Sequence, residues 1–246
     1  MKNDFQNDAS PFSFEEVVPE PEIKWRETLR VFCQNRMALF GLIMVTIFIF
    51  VGLFGSVIFP ADPFEMVAVP LSEPGTGALL GSDYMGRDVF IGIIYGTRPT
   101  LVIAVTATLV TVLIGITLGA VAGFYGGMID NVLMRITEFF QVLPPLVFAM
   151  VIVAVFSTDI VVVILAIAVT TWTVEARLTR AEFLKIKERE YVMSARAIGA
   201  NNFRLIARVI LPNAMPPLII AITLRVGVTI IYEAALSFLG LTDPDI

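Results

Sequence analysis

Histidine is absent from the 246 residues, and cysteine occurs once, at Cys33. Without His, imidazole-based metal binding and acid/base catalysis are excluded. One Cys cannot close an internal disulfide, so Cys33 is expected to pack as a small apolar residue. Charge is scarce as well. Only 16% of residues are charged, against about a quarter in ordinary soluble domains. The chain holds no G-x-x-x-x-G-K-[ST] phosphate loop, no H-E-x-x-H and no Ser–His pair. It therefore offers no catalytic constellation, bound cofactor or metal site, and ATP hydrolysis by this chain is not expected. What it has in excess is apolar: 57% of residues are hydrophobic and the mean hydropathy is +0.85. That composition predicts an all-α bundle of membrane-crossing helices, with no reason to expect a nucleic-acid partner.

Five spans can be read. Met37–Phe59 and Pro99–Tyr125 are uncharged runs of 23 and 27 residues. Ile136–Phe156 carries one acid, Glu138, and Ile160–Val174 is 15 uncharged residues. The latter is short for a bilayer and is expected to continue past Glu175, its charged end snorkelling to the headgroups. Ala214–Leu239 contains Arg225 and Glu233. Ser157 to Asp159 alone separate the third and fourth spans, which predicts an antiparallel hairpin. The sequence divides into a tail (1–36), a first span (37–59), a loop (60–98) and a core (99–246) that includes a polar loop (175–213).

Lys and Arg set the orientation. Residues 1–36, the turn after the second span and the 175–213 loop hold 14 of the 17, and the opposite side holds only Arg87 and Arg98. The N-terminus and the 175–213 loop are thus expected in the cytoplasm, and 60–98 outside. The leader to the first span has seven acids, unlike a cleaved signal peptide. Pro11, Pro19 and Pro21 among acids predict a disordered start. Trp25, Leu29 and Phe32 then repeat at helical spacing beside Lys24, Arg26, Arg30 and Arg36, as in a helix on the inner membrane surface or an extension of the first span.

Gly115, Gly119 and Gly123 fall on one face of the second span, where a helix can approach closely. Leu143-Pro144-Pro145 predicts a kink in the third. Glu138 follows Arg135 by three, so a local pair is expected. Arg225 has no acid one turn away, and Glu233 is too distant along the axis for a direct pair. Arg225 is therefore expected to face a partner helix, another subunit or a watery pathway, and with Glu138 and Glu233 it is a candidate for a translocation path or subunit interface.

The polar loop contains YVMSARAIGANNFRLIARVILP, Tyr191 to Pro212. Ser194 and Ala195 are small enough for close approach. Gly199 can take φ > 0 and stop a helix, and Pro212 is expected to break or kink what precedes it. A short helix, a sharp turn and a second helix are predicted.

This order resembles the EAA loop of ABC-importer permeases: a small-residue triplet (Met193-Ser194-Ala195), Gly199 after three further residues, and Val209-Ile210-Leu211-Pro212 at the end. Met193 stands where the family has Glu. The segment Gly81, Asp83, Gly86, Arg87, Asp88, Gly96, Arg98 resembles the G-x-D-x-x-G-R-D…G-x-R run of dipeptide/oligopeptide permeases. Gly123, Gly126, Gly127, Asp130 and Arg135 resemble the same family. The likeness covers about Gly81 to Leu241, and the first 80 residues match in general layout only. The Glu233-Ala234-Ala235 triplet is not the loop motif, because its place in the topology is wrong.

The resemblance implies a type I importer permease with a coupling helix built from Tyr191, Met193, Ser194, Ala195, Arg196, Ala197, Gly199, Ala200, Leu211 and Pro212. It implies a second homologous permease, two cytoplasmic ATPases that use ATP and Mg2+, and an external solute-binding protein. The place is the inner membrane, and peptides are the expected substrate. Nickel chelates or another small solute are the alternatives, and an ATP-independent channel is a second class. The family has six spans where five are visible here, so the face of the fifth is expected to want a further helix.

Overall fold

The computed structural model describes residues 25–242. The disordered start, and Trp25 as part of an amphipathic face, lie outside the described residues and side chains. Residues up to Ile47 form one unit and those from Phe48 another. In the first unit, α1 (Trp25–Gln34) ends at Asn35. There the Asn35 side chain accepts from the Met37 and Ala38 amides, at 3.1 and 3.2 Å, and so starts α2 (Arg36–Ile58). Leu29 to Gln34 are all exposed, Cys33 among them. The expectation of a packed Cys33 is therefore corrected. A ten-residue helix whose described side chains all face outward gives it nothing to pack against.

In the second unit, the C-terminal half of α2 lies on α3 (Val89–Tyr125) through Gly52 and Gly55, the two buried residues of α2. The α3 helix begins ten residues before the run expected from Pro99. Asp88 caps it, its Oδ1 accepting from the Phe90 amide at 2.8 Å. Pro99 lies inside the helix. It removes one backbone hydrogen bond, that to the carbonyl four residues before it, and the helix continues. At 37 residues, α3 is about 55 Å long.

The third span is where the chain departs most from a straight reading. The α4 helix (Gly127–Val142) and α5 (Pro145–Phe156) meet at an angle of 82°. Leu143 and Pro144 are both extended between them. Two successive prolines remove two amide donors and disfavour the helical region for the residue before each, and here Leu143 takes the extended conformation. The kink expected from the prolines is therefore a full break. Among the described residues, four helices are each long and apolar enough to cross a membrane, and this bent pair is a fifth candidate.

Ser157–Asp159 turn α5 into α6 (Ile160–Lys187), with Asp159 accepting from the Val161 amide at 2.7 Å as its cap. α6 packs along α3 on the glycine face. A Cβ added at Gly115 would lie 2.9 Å from the Trp172 carbonyl oxygen, and one at Gly123 2.8 Å from that of Arg180. At Gly119 it would strike the Ala176 carbonyl. The two backbones touch where these side chains are missing. Two apolar cores flank this seam. One joins Ile103, Ala107, Val153, Val163, Ile167 and Leu236. The other, at the opposite end of the bundle, joins Phe124, Phe183, Ile186, Val192, Leu205 and Leu218.

Residues 60–88 contain no helix, as their Pro and Gly content predicts, but they are tied together. The Ser82 hydroxyl donates to the Val69 carbonyl and meets Ser72 Oγ at 2.9 Å, and Met66 bridges to Arg87. Gly86 has φ 80°, with the Ala68 carbonyl against its α-carbon. Neither the conformation nor the space admits a side chain.

Candidate functional site: the loop between α6 and α9

After Lys187 the chain leaves α6 and forms α7 (Glu190–Ala197). Gly199 then takes φ 88°. Around it the Ala200 amide donates to the Ala195 carbonyl at 3.1 Å and the Gly199 amide to Arg196 at 3.0 Å. These are the two bonds of a Schellman stop. Two residues later Asn201 Oδ1 accepts from the Arg204 amide at 2.8 Å and starts the next helix. The predicted helix–turn–helix is thus present, with its turn confined to Ile198–Asn201.

Pro212 does something other than break the chain. α8 (Asn202–Arg204) passes into a π-helical turn, Leu205–Ile210, and then directly into α9 (Leu211–Phe238). The Leu211 amide reaches back five residues, to Ile206. The extra residue in that turn relieves the clash that a proline ring makes with the carbonyl four positions before it. Helix continues through Pro212 at the cost of a wider turn.

The loop is anchored on one face and bare on the other. Val192 and Leu205 are fully buried against Phe183, Ile186 and Phe124. The Arg196 guanidinium stands 6.0 Å from the Phe124 ring. Lys187 Nζ donates to the Gly123 carbonyl at 3.1 Å and ties the loop's base to the end of α3. Outward, Ile198 is 87% and Phe203 78% exposed, with Tyr191 and Met193 also exposed beside them. Ser194, Arg196, Ala197 and Gly199 are exposed, while Ala195 and Ala200 are half-buried. Leu211 packs partly against the core below.

The ionisable candidates separate. Arg225 is paired inside the chain: its Nε donates to Glu175 Oε1 at 2.6 Å, joining α9 to α6, with both side chains almost wholly buried. The snorkelling expected of Glu175 does not occur. It lies buried on the α6 face that meets Gly115. Glu138 pairs with Arg135 at 3.1 Å on an open surface, the local pair expected. Glu233 is buried on α9 with Thr100 of α3 as its neighbour.

The sequence pointed to Asp130 only within a family-like run and to Glu175 only at the end of a span, and it gave neither the pairing of Asp130 with Arg180 nor that of Glu175 with Arg225. Asp130 forms a two-pronged pair with Arg180, at 2.5 and 2.6 Å, linking α4 to α6. The signal for Glu175 was helical spacing: Trp172, Glu175, Ala176 and Thr179 share the face that a glycine-lined neighbour would take.

Residues 115–245 match the family described as binding-protein-dependent transport system inner membrane component. Residues 24–71 match the N-terminal TM domain of oligopeptide transport permease C. The second match corrects the expectation that the first 80 residues share only a layout. A lipid-facing apolar helix carries little motif for the eye, though its overall pattern is specific. Among curated relatives, the dipeptide transport system permease protein DppC of Alkalihalophilus pseudofirmus is 35% identical over 88% of this chain and 72% of its own length. That of Bacillus subtilis is 37% identical over 91% and 71%. The oligopeptide transport system permease protein OppC of Bacillus subtilis is 31% identical over 99% and 80%.

Proposed function

This chain belongs to the family of binding-protein-dependent transport system inner membrane components, and from that membership we propose that it carries short peptides across the inner membrane under the drive of separate ATPases. The peptide substrate rests on relatives named for dipeptide and oligopeptide transport at 31–37% identity. A nickel chelate or an ATP-independent channel has no such support. The chain itself is non-catalytic. ATP and Mg2+ act on two cytoplasmic ATPase subunits, a second homologous permease completes the path, and an external solute-binding protein delivers the peptide. The N-terminus and the α6–α9 loop face the cytoplasm, where 14 of the 17 Lys and Arg lie.

One observation carries the coupling role: the segment from α7 to α8 is anchored through buried Val192 and Leu205 yet presents bare Ile198 and Phe203. An apolar knob of this kind on a stiff mount suits a groove on a partner. A push on α7 reaches α6 and α9 through the shared core, and the Glu175–Arg225 pair makes those two helices move together. Closure of the ATPases then biases the bundle between two states.

The test is purification of the full chain with its co-expressed partners, followed by reconstitution. Retention of the ATPases, with ATP-dependent uptake of a labelled dipeptide only when the binding protein is added, is the expected result. Dipeptide flux without ATP and without retained ATPases would overturn the importer reading in favour of a channel.

A further inference from the structure

A cavity of about 780 Å³ opens where the 60–88 loop meets the first turns of α3. Its wall is the α3 face carrying Gly92, Ile93, Gly96 and Pro99. A Cβ added at Gly92 or Gly96 would meet nothing within 4 Å. These glycines are not needed for helix packing, and they keep the cavity open.

Its rim carries four charges: Arg87 and Arg98, Asp83 and Asp88. Neither arginine forms an ion pair among the described residues. Arg87 holds its guanidinium 5.2 Å from the Phe64 ring, and its Nε is buried without a hydrogen-bond partner. Both aspartates are half used. Oδ1 of Asp83 accepts from the Met85 and Arg87 amides, and Oδ1 of Asp88 from the Phe90 amide. The second oxygen of each makes no bond among the described residues. Arg87 and Arg98 are also the only Lys or Arg on the side assigned above to the exterior.

We propose that this cavity binds the substrate itself, as a short zwitterionic peptide. Arg87 and Arg98 take the terminal carboxylate, Asp83 and Asp88 the terminal ammonium, and Phe64 and Tyr95 flank the side chains. Two cations and two anions around an apolar wall match a molecule with one charge of each sign and apolar substituents between them. The volume falls within the range of small-ligand sites. An aromatic ring under Arg87 holds the guanidinium in place without neutralising it. The proposal rests on the peptide-importer reading. It adds a binding step on the permease between release from the binding protein and passage through the bundle.

The assembled importer in lipid nanodiscs, without the binding protein, is photolabelled with alanyl-benzoylphenylalanine, and the modified residues are mapped. Labelling is expected within residues 64–99, competed by alanyl-phenylalanine and not by its C-terminal amide or its N-acetyl derivative. Arg87→Gln and Arg98→Gln should each lower labelling about tenfold, the worth of one charge-assisted hydrogen bond. Gly96→Leu should abolish it by filling the cavity. Retention of the ATPases on each variant shows that it has assembled. Competition by the amide equal to that of the free peptide would overturn the proposal. So would labelling unchanged in both arginine variants and in Gly96→Leu, or labelling confined to other segments. ATP-driven dipeptide uptake is measured separately, in proteoliposomes with the binding protein added: if it persists while the cavity is unlabelled, the cavity proposal fails and the importer reading stands. If the wild-type complex shows no such uptake, the importer reading fails, and the labelling pattern still decides the cavity.

Discussion

Gly199 separates two costs that are usually entangled. Its φ of 88° excludes most side chains, yet nothing lies within 4 Å of where a Cβ would stand. Substitution therefore strains the backbone without a clash. Gly199→Ala should cost about 1 kcal/mol and Gly199→Val more, since a β-branched residue resists φ > 0. The strain should appear as a loosened α7, not an unfolded bundle. Membrane insertion and thermal stability should stay near wild-type, while ATPase retention and ATP-driven uptake fall, most in the Val variant. Uptake at the wild-type rate in Gly199→Val would remove the coupling assignment. The Glu175–Arg225 pair behaves in the opposite way. Glu175→Ala strands a buried guanidinium and should cost about 3–5 kcal/mol, read as a fall in melting temperature in detergent. The double variant Glu175→Met, Arg225→Met, which leaves no buried polar group unpaired, should recover most of it. Gly199 was legible in the sequence because its signal is local, a glycine between two helical stretches. The partner of Arg225 was not, because it lies 50 residues away and only packing brings it near.

At the scale of elements, the small-residue stripe tells which helices touch and the prolines tell where they fail. Gly119 faces the Ala176 carbonyl and Thr179 across the α3–α6 seam, whereas Gly227 on α9 faces open space. Gly119→Val should force the helices apart and cost about 1–3 kcal/mol or more. Gly227→Ala should be neutral or slightly stabilising, by up to about 1 kcal/mol, because Ala is the better helix former. Thermal unfolding of the two purified variants checks the contrast, and equal melting temperatures would refute a tight seam. Four proline sites share one sequence signature and differ in outcome, and one of them, Pro216-Pro217, lies within unbroken α9. Pro99 continues a helix, Pro144 and Pro145 break one by 82°, and Pro212 is absorbed by a π-helical turn. Doubling does not decide the outcome, because Pro144-Pro145 ends a helix while Pro216-Pro217 stays inside α9; at Pro212 the preceding turn takes an extra residue. Residue identity alone carries none of that, so helix existence was readable while helix ends and bends were not.

At the scale of the whole molecule, function depends on which end of the bundle carries the loop. The core of Phe183, Val192 and Leu205 and the cavity rimmed by Arg87 lie at opposite ends of α3, near Phe124 and Val89. If the loop meets ATPases in the cytoplasm, the cavity must open outward, where a delivered peptide arrives. If the orientation were reversed, both assignments would fail together. Single cysteines settle it, and Cys33 must first be changed to Ser because it is exposed and would react. Glu73 and Lys185 are both exposed, so cysteines placed there report sidedness and not burial. An impermeant thiol reagent applied to intact cells should label Glu73→Cys and leave Lys185→Cys untouched until the membrane is opened. Labelling of Lys185→Cys from outside would place α7 away from ATP. The bare Ile198 and Phe203 would then need another partner, however well the loop's sequence matches its family.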